Sequence, residues 1–87
     1  MKNNVNPDDF LSEQEAHTQK EQVLAYLQAH GSIDRLTAMR KLHIMHLPTR
    51  IFHLKHEGYP IQTVMKRSVN NKRYAQYVLV KPEVSNG

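Results

Sequence analysis

From Leu47 onward the apolar positions keep the spacing of a single helix. At about 100° per residue, Leu47, Ile51 and Leu54 fall on one side, as in a helix with one buried stripe. His46, Thr49, His53 and His56 fall on the other side as a second stripe of polar groups, mostly aromatic rings. Arg50 and Lys55 sit at the flanks, where long side chains can reach outward, and Phe52 lies between the faces and is assigned to the core against the preceding helix. Pro48 fits because it lies in the first turn, where its missing N–H costs nothing. Gly58 is placed as a left-handed C-cap, and Pro60 forbids continuation. The pattern predicts a short helix over 47–57 with one greasy side and one side shaped to touch a partner.

Upstream, Val23, Leu24 and Leu27 also recur at helical spacing. Both Ser12 to Glu15 and Thr18 to Glu21 fit a capping box, a hydroxyl residue followed three later by Glu. Thr18 is the favoured start, with Ser12 the alternative if Ala16 continues the same face; Gly31 caps the end near His30. Ser32 and Ile33 form a very short extended link able to pair in a small sheet. Asp34 is a good N-cap for a second helix, Arg35 to Leu42, with Leu36, Met39 and Leu42 as its apolar positions. His43 to His46 is a tight turn with Ile44 pointing inward. Two helices joined by about four residues, the second amphipathic and polar-faced, make a helix-turn-helix whose second member is the recognition helix.

After Gly58 the period changes to two. Ile61, Thr63 and Met65 alternate with Gln62, Val64 and Lys66, and Tyr74, Gln76 and Val78 alternate with Ala75, Tyr77 and Leu79. Between them the run 67–73 is polar and turn-prone around Asn70-Asn71, which describes a β-hairpin with Lys66, Arg67, Lys72 and Arg73 at or beside its tip. Tyr74 and Tyr77 point to opposite faces, so one of them belongs to the core. A hairpin directly after a recognition helix is a wing. The expected fold class is α+β, three helices plus a β-hairpin wing and a short third strand. It divides into an acidic, flexible tail over 1–17, a domain over 18–82 and a frayed end over 83–87.

Charge sharpens this picture more than composition does. Residues 1–17 hold Lys2 against Asp8, Asp9, Glu13 and Glu15, a net of −3. Residues 18–87 hold eleven Lys and Arg against Glu21, Asp34, Glu57 and Glu83, a net of +7. A basic body behind an acidic tail points to a polyanion, nucleic acid first and an anionic membrane surface second. The chain has no cysteine, which removes disulfides and thiolate metal sites. No apolar run approaches the ~18 residues of a membrane span, and MKNNVNPDDF lacks the apolar core of a signal peptide. A soluble, cytoplasmic protein that engages no membrane is expected.

Taken together, QVLAYLQAHGSID, LTAMRKLHI, LPTRIFHLKHEGYPI and KRYAQYVL resemble the winged helix-turn-helix domains of small bacterial and phage proteins, over roughly residues 18 to 80. His43 stands where such domains more often have Gly. The resemblance implies a module that binds double-stranded DNA, in a bacterial or phage-infected cell, serving gene control, excision or replication. In such a domain the third helix enters the major groove. His46, Thr49, His53 and His56 then face the base edges, Arg50 reaches a guanine or a phosphate, and Lys66, Arg67, Lys72 and Arg73 of the wing contact phosphates.

Each assignment has an ordinary competitor. Arg50 could fold back onto backbone or Glu57, the wing cations could be a solvated turn, and the histidines could be merely exposed. Histidine gains charge on mild acidification, so the stripe carries the expectation of stronger phosphate contact at lower pH. His43-x-x-His46 and His53-x-x-His56 have chelating spacing, but nothing encloses an ion, and neither a metal nor another cofactor is expected. No phosphate-binding glycine loop, activated nucleophile or carboxylate pair lies in the folded part, so an enzyme is not expected. A single module offers limited contact area, which calls for a homodimer or a protein partner, with Phe10 and Leu11 of the tail as the candidate contact. The rival class is a winged helix that binds a host or partner protein instead of DNA. RNA binding is the weaker third reading, because no aromatic platform is evident.

Overall fold

The computed structural model describes residues 13–80. In chain order these form α1 (Glu13–His30), β1 (Ser32–Asp34), α2 (Arg35–Thr37) running on into a π-helical turn (Ala38–Leu42), α3 (Leu47–His56), β2 (Ile61–Arg67) and β3 (Arg73–Leu79). The three helices and the antiparallel sheet are the expected α+β architecture. Phe10, Leu11 and the end at 83–87 lie outside the described residues.

The first helix starts at Glu13, earlier than the favoured Thr18. The residues before Thr18 include Gln14, Glu15 and Ala16, all good helix formers, and the carboxylates of Glu13 and Glu15 in the first turn suit the positive end of the helix dipole. Gly31 closes the helix at φ +88°, with its N–H on the Leu27 carbonyl at 2.7 Å. Val23 and Leu27, one turn apart, are the buried residues of α1, with Leu24 and Tyr26 packed partly against them.

Asp34 caps α2 as expected, its carboxylate accepting the Thr37 N–H at 2.8 Å. Beyond Thr37 the expected apolar face is corrected. Leu36 and Met39 remain 50% and 41% exposed, Leu42 is half-buried, and the small side chain of Ala38 is what enters the core. A π turn spreads five residues over each hydrogen-bonded loop, so the regular phase on which Leu36, Met39 and Leu42 share a face does not hold here.

The π turn ends at His43 in the left-handed conformation, φ 59° and ψ 35°, with its N–H on the Met39 carbonyl at 3.1 Å and that of Ile44 on the Ala38 carbonyl at 3.0 Å. A side chain with a Cβ is strained there, where glycine is not. His43→Gly is therefore expected to raise the unfolding free energy by about 1 kcal/mol, read from the urea midpoint at constant m-value. A lower midpoint would show that the imidazole itself holds the turn.

The turn brings Ile44 into the core and starts α3 with Pro48 in its first turn. At the other end the Tyr59 N–H reaches the Leu54 carbonyl at 3.1 Å and the Gly58 N–H the Lys55 carbonyl at 3.0 Å, with Gly58 at φ +103°. That is the paired Schellman closure that a C′ glycine allows. Lys20 of α1 pairs with Glu57 just past the end of α3, tying the two helices at that end.

The sheet has the order β1-β3-β2. The hairpin keeps an unbroken register from Ile61 opposite Leu79 to Arg67 opposite Arg73, and Ile33 lies opposite Tyr77 on the other edge of β3. Ile33 and Ile61 join Val23, Leu27, Ala38, Ile44, Leu47, Ile51 and Leu54 in one buried cluster, with Tyr59, Tyr77 and Leu79 packed partly against it. Burying each large aliphatic side chain is worth roughly 1.5–3 kcal/mol, and this single cluster fixes where α3 and the hairpin sit relative to each other.

Candidate nucleic-acid interface

The outward surface of α3 follows from which residues it buries. Leu47, Arg50, Ile51 and Leu54 face inward, so the opposite arc carries Thr49, Phe52 and His56, with Pro48 and Lys55 on one flank and His53 on the other. His46 sits exposed at the N-cap, where its carbonyl accepts the Thr49 and Arg50 N–H groups at 3.2 and 3.4 Å and its ring makes no capping bond. Thr49 and His53 are half-buried and His56 is exposed. The helix thus gathers His46, Thr49, His53 and His56 on or beside one outer surface.

Arg50 is the exception. It is 0% exposed, and its Nη1 donates to the Ala16 carbonyl of α1 at 3.1 Å. The expected reach to a guanine or a phosphate is corrected, because the whole side chain is buried and its Nη1 is engaged by the α1 backbone. Of the two competing fold-backs, the one onto backbone is what the structure shows, and Glu57 is engaged by Lys20 instead.

Phe52 is corrected in the opposite sense. It is 60% exposed, lies 5.5 Å from the His56 ring at a 30° interplanar angle and meets His53 edge-on at 5.8 Å. The wheel contained the signal. At about 100° per residue Phe52 is about 140° from Leu47, while Arg50 is only about 60° from it, on the apolar arc.

At the hairpin tip the Asn71 N–H reaches the Ser68 carbonyl at 2.9 Å and the Ser68 N–H the Lys72 carbonyl at 2.8 Å. Asn71 supplies the left-handed residue at φ 64°, a role asparagine tolerates better than most. The Ser68 hydroxyl accepts the N–H groups of Asn70 and Lys72 at 3.3 and 3.2 Å, and Arg67 Nη1 donates to the Asn71 side chain at 2.8 Å. This wiring holds the tip in one shape. Lys66, Arg67, Lys72 and Arg73 are all exposed on it.

The electrostatics of this half of the chain are one-sided. Residues 35–80 contain nine Lys and Arg against Glu57 alone, a net of +8, and Glu57 is paired with Lys20. Arg67 and Arg73 stand directly opposite each other in the ladder, an arrangement that costs stability by like-charge repulsion. A bound polyanion would turn that cost into attraction.

A groove of about 900 Å³ opens between the second helix and the wing. Leu36, Met39, Met45 and Met65 line it together with Arg35, Lys72 and Arg73. Tyr74, one of the two strand tyrosines, is also exposed here, while Tyr77 packs partly on the core.

Among the described residues no group of three or more His, Asp or Glu is placed to hold a metal ion, and no helix is long and apolar enough to cross a membrane. A family model described as a winged helix-turn-helix domain matches residues 18–82. No curated protein and no solved structure matches the chain.

Proposed function

We propose that this chain, which belongs to the winged helix-turn-helix domain family, binds double-stranded DNA sequence-specifically, with α3 in the major groove and the basic wing on flanking phosphates. The family points to DNA binding in general. The observation that carries the finer reading is the joint placement of an outward α3 face and a hydrogen-bonded cationic tip on a segment of net charge +8. A helix of this width fits the major groove, where base pairs present distinct donor and acceptor patterns, and the wing adds affinity without sequence information. Thr49, His53 and His56 are the assigned base-facing polar residues, His46 lies at the helix entrance, and Lys66, Arg67, Lys72 and Arg73 are the phosphate contacts. The process served is a regulatory or phage-type DNA transaction in the cytoplasm, a reading that rests on the sequence resemblance and assigns the chain no catalytic step or cofactor.

The test is a binding titration on a duplex selected from a random pool and on random duplex, at two salt concentrations. A selected site should bind ~10³-fold or more tighter than random DNA, and the double variant Thr49→Ala/His56→Ala should remove that preference. Equal binding of both duplexes would reduce the function to non-specific DNA association.

One observation favours a second reading, protein docking. The groove exposes Leu36, Met39, Met45 and Met65 and is lined also by Arg35, Lys72 and Arg73, which suits an acidic segment of a partner protein carrying large apolar side chains. Absence of duplex binding near physiological salt would favour this reading over the first.

A further inference from the structure

Phe52 is the large apolar side chain on the outer arc of α3, and it is not among the residues lining the groove. Its neighbours are Thr49 and His56 on that arc, Pro48 and Lys55 on one flank and His53 on the other. The ring is held rather than loose, facing His56 at 5.5 Å and meeting His53 edge-on at 5.8 Å. An exposed apolar ring fixed against two imidazoles matches one feature of the major groove. There, thymine is the base that presents a methyl group, and apolar side chains including Phe pack against it.

We propose that Phe52 is a specificity-determining residue that reads a thymine methyl, so that the target site contains at least one A·T pair recognised by that methyl and not by hydrogen bonding. The inference rests on the DNA reading above and deepens it by naming the base. The two flanking imidazoles position the ring and leave their nitrogens for neighbouring base edges or phosphates. The contact is worth about fourfold in affinity, the equivalent of one buried methyl group.

The probe is the duplex selected from a random pool, with each thymine replaced in turn by deoxyuridine. This change removes the methyl and keeps every base-pairing and groove hydrogen-bonding atom. The full chain should lose about fourfold in affinity at one or two positions and nothing elsewhere. Phe52→Ala should bind the thymine and uracil duplexes equally while keeping its affinity for random DNA, and Phe52→Leu should retain part of the preference. Because Phe52 is exposed, neither substitution opens a cavity in the core. Tight wild-type binding that is indifferent to uracil at every position overturns the methyl contact and leaves DNA binding standing. Failure to bind any duplex overturns both.

Discussion

Arg50→Ala is expected to lower the unfolding free energy by about 2–4 kcal/mol, a large share of what a domain of this size has to lose. The side chain is 0% exposed, and its Nη1 bonds the Ala16 carbonyl, so it joins α3 to the first turns of α1. Truncation removes that bond, leaves a void where the stem packed and frees the α1 N-terminal turns from α3. Arg50→Lys should recover part of the packing and little of the bond, because an ammonium does not reproduce the guanidinium fork. Chemical denaturation of the three proteins gives the ranking directly. A midpoint for Arg50→Ala within about 0.5 kcal/mol of wild type would contradict the structural role. A groove-reading arginine would show the reverse pattern, with stability kept and the preference for the selected site abolished.

Neutralising the wing should do the opposite. Replacing Lys66, Arg67, Lys72 and Arg73 together by Gln is expected to make the salt dependence of DNA binding shallower by about 3 in log–log slope, at about 0.9 for each phosphate that the wing no longer neutralises. The figure is below that for four phosphates because Lys66 and Arg67 are consecutive in β2 and project to opposite faces of the sheet. Selected and random duplexes should weaken together, since phosphates carry no sequence information. Stability should change by no more than a few tenths of a kcal/mol, because the lost repulsion between Arg67 and Arg73 offsets the loss of the exposed Arg67–Asn71 bond. An unchanged slope would remove the wing from the interface. Measured side by side, the two variants separate a cation that builds the fold from cations placed for a partner.

The division between what could be read in the chain and what could not follows from the range of the forces involved. Period and punctuation are local. Leu47, Ile51 and Leu54 at helical spacing, Gly58 and Pro60 behind them, Asp34 ahead of Arg35, and the alternation on either side of Asn70-Asn71 define helix, cap and hairpin from neighbouring residues alone. The architecture, a short third strand at Ser32 and Ile33, which the structure extends to Asp34, and the basic tip followed from them. The family resemblance also marked His43 as standing where glycine is usual, and its positive φ is the physical content of that mark.

Tertiary structure decided what lies where two elements meet. Whether Arg50 turns outward depends on the Ala16 carbonyl, 34 residues away in sequence, and on a helix that begins at Glu13. Phe52 needed a partner surface to be core, and the π turn after Thr37 left Ala38 as the buried residue of the second helix while Leu36 and Met39 face the wing. Hydrophobicity by itself is non-directional and says only that a side chain would gain by burial. Which side chains find a neighbour to bury against is settled by the packing of α1, the second helix and the hairpin on α3, and that packing exchanged the roles of Arg50 and Phe52.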